Sequence, residues 1–122
     1  KIIEDFKLNL TDEMREHLET RLALPKDPKL KKGEVEIILI INTIGYIENK
    51  QEYLTNLYNI LPDGGEILIV DFKKRSLPID APDLDYRVPL YETEQLLRNA
   101  GFTEQVSYDQ LLDYQYVIKA TR

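Results

Sequence analysis

Val35-Glu36-Ile37-Ile38-Leu39-Ile40-Ile41 is an almost unbroken apolar run that stops at the polar pair Asn42-Thr43. A run so short and so rich in β-branched residues reads as a strand buried on both faces, as in a parallel sheet covered by helices. Downstream, Asn49 is placed to cap a helix with Glu52 at its third position, and Tyr53, Leu54, Leu57, Tyr58 and Leu61 recur at the spacing of one helical face. Pro62-Asp63-Gly64-Gly65 ends that helix and turns the chain, and Ile67-Leu68-Ile69-Val70 forms a second buried strand that gives way to Asp71-Phe72. Strand, helix, strand in this order is a right-handed crossover between two parallel strands.

The rest of the chain is read outward from that unit. Residues 1–8 look like the tail of a helix, starting at Lys1, with Ile2, Ile3 and Phe6 on one face. Thr11 caps a second short helix, with Met14 and Leu18 on its inner side. Thr20-Arg21-Leu22-Ala23 is weakly strand-like, so residues 1–34 form a helical and loop lead-in with one edge strand, and residues 35–122 form the core unit of a single domain. The segment from Lys73 to Pro89 holds three of the six prolines and no apolar period; a loop of that length is functional or mobile. Tyr91 to Ala100 reads as a helix with Leu96, Leu97 and Ala100 inward, closed by Gly101. Gln105 to Tyr108 and Tyr114 to Thr121 alternate as the strands of an antiparallel hairpin at the sheet edge.

Composition narrows the function. The 122 residues are 43% hydrophobic, enough to bury roughly two-thirds of the unfolded surface. A net charge of -6 argues against a nucleic-acid partner, and Lys73-Lys74-Arg75 reads as a solvated loop after a strand. Nothing approaches the roughly 20 consecutive apolar residues of a membrane helix, so no membrane partner is expected. The absence of cysteine fits a reducing cytoplasm and removes thiolate chemistry. The carboxylates show no metal-ligand spacing, no metal site is expected, and the sole histidine, His17, falls on a surface helix. Because the sequence begins at Lys1, a preceding segment is expected to have been removed.

The succession IILIINTIGYIENKQEYLTNLYNILPDGGEILIVDF, followed by the helix end Arg98-Asn99-Ala100-Gly101-Phe102 and the closing LLDYQYVIKA, resembles the fourth strand onward of class I S-adenosylmethionine-dependent methyltransferases. The likeness runs from about Glu19 to Arg122. It implies an α/β fold: a partial Rossmann-like methyltransferase sheet of parallel strands with helices and the C-terminal antiparallel hairpin. Class I enzymes hold the cofactor's methionine over a glycine-rich loop after the first strand, and the ribose through an acid ending the second. None of the five glycines here makes a Gly-x-Gly, so the resemblance implies a C-terminal part without that loop, binding S-adenosylmethionine weakly. The bared edge of the most hydrophobic strand then invites a partner strand, an exchanged copy in a homo-oligomer, or the missing half held noncovalently.

Ligands in open α/β sheets bind beyond the carboxyl ends of the strands, which selects Asn42 to Tyr46 and Asp71 to Lys73. The resemblance puts Asn42, Thr43 and Ile44 on the cofactor and Ala23 and Leu24 beside the adenine, as an apolar wall or a backbone contact. The alternative makes Asn42 a cap or turn former. Tyr46 either shapes the acceptor pocket or packs in the core with its hydroxyl at the surface. Asp71 is a candidate base or acceptor-orienting group, with a turn-capping role as its alternative. The implied activity is methyl transfer to a small-molecule or protein acceptor. The alternative is a noncatalytic interaction module that assembles through its exposed strand edge.

Overall fold

The structure is a computed structural model that describes residues 2–122; Lys1, the first residue of the expected helix tail, lies outside them. Its frame is a four-stranded sheet in the order β1-β2-β4-β3, with β1 at Ile37–Ile41, β2 at Glu66–Phe72, β3 at Thr103–Tyr108 and β4 at Gln115–Thr121. Strands β1 and β2 are parallel, paired from Ile37 with Glu66 to Ile41 with Val70, as the crossover pattern requires. Strand β4 runs antiparallel to both β2 and β3, so the expected hairpin closes one side of the sheet.

Between β1 and β2 lies helix α3, Lys50–Ile60, numbered after two short N-terminal helices, α1 (Ile2–Leu8) and α2 (Asp12–Glu16). Asn49 Oδ1 accepts from the Glu52 amide at 3.3 Å and its Nδ2 donates to Glu52 Oε2 at 2.8 Å, so the cap and the third residue satisfy each other. At the far end, the Gly65 amide returns to the Pro62 carbonyl at 2.9 Å, and Gly64 takes φ 80°, the left-handed value this turn requires. Helix α4, Leu90–Ala100, ends at Gly101 with φ 112°.

Helices α3 and α4 pack together on one face of the sheet. Leu54, Leu57, Leu61 and Leu97 meet Ile38, Ile40, Ile67, Ile69, Ile118 and Ala120 there in a single core. The other face is open. Ile37, Leu39 and Ile41 are 60%, 59% and 52% exposed, which corrects the expectation that β1 is covered on both sides: alternate residues of a strand point opposite ways, and among the described residues only one side of β1 is covered. The outer edge of β1 has no strand partner among the described residues.

The lead-in departs further from expectation. Residues 20–23 form no strand; the one bridge nearby is the local turn pairing Leu24 with Asp27. With Pro25 and Pro28 so close, no extended stretch survives to join a sheet. Thr11 does cap α2, accepting from the Met14 amide at 3.2 Å, but Met14 and Leu18 are 55% and 37% exposed, not inward. Arg21 anchors this region through Glu34, Glu19 and the Lys29 carbonyl. No helix among the described residues is long and apolar enough to cross a membrane.

Candidate functional site

At the carboxyl end of β1 the chain turns sharply. Asn42 sits at φ 55°, a left-handed value that asparagine tolerates better than most residues and that stores backbone strain at the rim. Its amide still donates to the Val70 carbonyl at 2.8 Å, and its side-chain oxygen accepts from Gln115 Nε2, so β1, β2 and β4 converge on one residue. Thr43 Oγ1 donates to the Ile41 carbonyl at 2.8 Å. A single 3-10 turn, Ile44–Tyr46, follows.

That turn sorts its side chains by function. Ile44 is fully buried in the core, so among the expected cofactor-side residues it offers a ligand only its backbone. Gly45 lies against the backbone of Tyr86, in a second 3-10 turn, Leu84–Tyr86. Tyr46 is 55% exposed and stacks on Tyr86 with ring centroids 5.0 Å apart. Tyr46 thus packs on a neighbouring surface ring and not in the core.

The loop between β2 and α4 is fixed in place. The buried Arg87 guanidinium donates to the carbonyls of Pro82 at 2.6 Å, Arg75 at 2.7 Å and Lys73 at 3.4 Å, pulling three points of the loop onto one planar fork. Its last residues are tied to the sheet by Tyr116, whose hydroxyl contacts Thr93 Oγ1 and the Val88 carbonyl, each at 2.8 Å.

An open cleft of about 380 Å³ runs along the free edge of β1, lined by Leu39, Ile40, Ile41, Thr43, Ile47 and Tyr53. Ile47 and Tyr53 also border a smaller recess with Pro25, Lys26, Glu48, Asn49 and Glu52. The Leu24–Asp27 turn therefore reaches the same edge, with Leu24 54% exposed and Ala23 exposed beside it. Burial, and secondarily the charge of Asp27, push the Tyr53 phenol up. Tyr53, Ile47 and Tyr86 are the residues that sequence reasoning missed. Tyr53 was legible only as one more apolar position of α3, and nothing local links Tyr86 to Tyr46.

Asp71 lies beneath the rim. It is 3% exposed and shares the helix-covered face with Ile67 and Ile69. Burial pushes its carboxyl up, while the amides of Phe72, Ile44 and Gly45 pull the other way. His17 ends α2 at the exposed surface, and no cluster of three or more metal-binding side chains exists among the described residues.

Neither a family model nor a curated protein sequence matches this chain. Solved structures do. A SAM-dependent methyltransferase from Aquifex aeolicus superposes with a TM-score of 0.76 at 18% identity, over 98% of this chain and 60% of its own. A Sulfolobus solfataricus protein provisionally called a type 11 methyltransferase gives 0.74 at 21% identity, over 98% and 64%. Phosphoethanolamine N-methyltransferase 2 from Haemonchus contortus, solved in complex with S-adenosyl-L-methionine, gives 0.62 at 9% identity, over 77% and 34%. The fold is that of the C-terminal part of a class I methyltransferase domain. The methyltransferase-like chain spans less than two-thirds of the length of these structures.

Proposed function

We propose that this chain provides the C-terminal side of the cofactor cleft, and part of the acceptor wall, of an S-adenosylmethionine-dependent methyltransferase acting on a small molecule or a protein. The observation that carries the reading is the joint rim of the parallel pair β1 and β2, where a left-handed Asn42 turns the chain beside an apolar cleft. Open α/β sheets bind ligands at such carboxyl ends.

The cleft fits part of the cofactor. Leu39, Ile41, Ile47 and Tyr53 offer an apolar wall suited to a flat ring, and in this reading Ala23 and Leu24, which lead into the turn bearing Pro25 and Lys26, are assigned to its adenine side. Asn42, Thr43 and the Ile44 backbone are assigned to the methionine end. Acidic and glycine-loop groups for the ribose and the methionine carboxylate have no counterpart in this sequence, so binding by this chain alone is weak.

Bound S-adenosylmethionine supplies an already activated methyl group; the protein's share is alignment and exclusion of water. Tyr46 and Tyr86 form the acceptor-side wall in this reading, held rigid by the Arg87 staple. A cytoplasmic location belongs to the same reading and is supported by the cysteine-free sequence.

Calorimetry with S-adenosylhomocysteine tests it, on this chain and on one extended by whatever residues are encoded upstream of Lys1. Weak binding that strengthens on extension supports the reading; equal, tight binding by both contradicts it.

A second reading, a noncatalytic module or strand-exchanged homo-oligomer, is favoured by one feature. Among the described residues the β1 edge is unpaired, its open face is apolar, and neither charge nor proline guards Ile37–Ile41. Sedimentation velocity decides: a concentration-dependent dimer abolished by Leu39→Lys supports this reading, and a monomer at all concentrations removes it.

A further inference from the structure

The end of β2 places Asp71 where a base would stand, yet its side chain is 3% exposed. Proton exchange with an acceptor needs access that this position lacks. Its Oδ1 accepts from the Phe72 amide at 2.7 Å, and its Oδ2 is buried with no hydrogen-bond partner. A buried carboxylate oxygen left so is costly, and such atoms in native proteins call for an explanation.

The explanation lies in the 3-10 turn that follows the neighbouring strand β1. Across the β1–β2 pair, the Ile44 and Gly45 amides oppose the burial that pushes the Asp71 carboxyl up, yet Oδ2 has no hydrogen-bond partner. They are the first two amides of the 3-10 turn, which has no carbonyl of its own to offer them. Two idle donors therefore confront one idle acceptor across the β1–β2 junction. The turn is also stopped by the Tyr86 carbonyl, against which Gly45 is already packed.

We propose that Asp71 is a positioning residue: its carboxylate captures the Ile44 and Gly45 amides and thereby sets the backbone path of Asn42–Tyr46 along the cleft. That this path serves a cofactor rests on the methyltransferase reading above; the capture itself does not. The surroundings suit the task. From β4, Tyr116 stands directly opposite Asp71 in the register, with its phenol held by Thr93 of α4 and the Val88 carbonyl. Burial pushes the Tyr116 phenol up, Thr93 pulls it down, and the charges of Asp71 and of Glu92 on α4 add to the rise. Backbone amides, that of Phe72 foremost, are what oppose the burial of the carboxyl.

The test is a nuclear magnetic resonance titration of the whole chain from roughly pH 3 to 8, following the Asp71 carboxyl carbon with the Ile44 and Gly45 amides. Both amides are expected to titrate with the midpoint of the Asp71 carboxyl, above the ordinary aspartate value. Asp71→Asn, which keeps the shape but presents a donor to the two amides, should abolish the response. Amides that stay flat while Asp71 titrates overturn the proposal, and the wild-type titration stands even if the variant fails to fold.

A functional arm measures affinity for S-adenosylhomocysteine. Asp71→Asn should weaken it about tenfold or more, whereas Tyr116→Phe, which leaves the carboxylate in place, should not. Equal affinity in Asp71→Asn and wild type overturns the positioning role. Amides that track Asp71 in a chain showing no affinity at all support the capture and refute the methyltransferase reading instead.

Discussion

A β-carbon built on Gly45 would lie 1.7 Å from the carbonyl oxygen of Tyr86. No side chain fits that space, and the obstacle is backbone, which cannot rotate aside. Gly45→Ala must therefore part the two 3-10 turns that carry the stacked Tyr46 and Tyr86 rings. The expected cost is about 1–3 kcal/mol or more, read as a fall in thermal midpoint, together with loss of any affinity for S-adenosylhomocysteine. Gly33→Ala is the control: its φ of 75° carries strain, but no atom lies within 4 Å, so stability should fall by about 1 kcal/mol with affinity retained. Equal effects of the two substitutions would show that the turn contact is unimportant.

Arg87 offers a second handle. Its guanidinium ties the carbonyls of Pro82, Lys73 and Arg75, so Arg87→Ala should free the loop and speed tryptic cleavage after Lys74 and Arg75. Arg87→Lys should not restore protection, because an ammonium lacks the planar fork. Wild-type cleavage rates in Arg87→Lys would refute the staple.

The buried pair Tyr116 and Thr93 predicts a coupling. Tyr116→Phe strands both Thr93 Oγ1 and the Val88 carbonyl, at a cost of about 1–3 kcal/mol by chemical denaturation. Thr93→Val added to it should cost less than the sum of the singles, since the lost hydroxyls were partners. Strict additivity would contradict the network. Burial pushes the Tyr116 phenol up, so it should remain protonated at alkaline pH where a free tyrosine has ionised.

The lead-in answers to acid. Hydrogen bonds from Arg21, and then from the Lys31 amide, lower the Glu34 carboxyl to about 2 from its ordinary 4.5. A carboxyl depressed in the folded state contributes stability that is full above its unfolded value and is lost as pH falls through its folded one. Residues 19–34 should therefore loosen between pH 4.5 and about 2. Faster hydrogen exchange at the Lys31 amide, which donates to Glu34 at 2.7 Å, reports it after correction for intrinsic rates. Glu34→Gln should show the loosened state at neutral pH; unchanged protection in that variant would sink the idea.

Much of this architecture was legible because it is written in local chemistry. Asn49 with Glu52, the Pro62 to Gly65 turn and Gly101 are each decided by neighbours in sequence, and the β1–β2 crossover follows from them. Burial on one face was not legible, since Ile37, Leu39 and Ile41 are as apolar as Ile38 and Ile40, and only the placement of α3 and α4 tells them apart. The strand expected over residues 20–23 failed because β propensity over four residues cannot outweigh two nearby prolines. At the rim, Asn42 to Tyr46 could be selected by rule, but the burial of Ile44 and Asp71 and the meeting of Tyr46 with Tyr86 depend on contacts distant in sequence.

The most direct measurement is an amide spectrum of the chain titrated with S-adenosylhomocysteine. If the carboxyl rim of β1 and β2 is a methyltransferase cleft, weak, saturable shifts should concentrate at Thr43, Ile44, Ile47 and Tyr53. Shifts absent at millimolar ligand, or gathered instead around Lys73, Asp109 and Asp113, would contradict it.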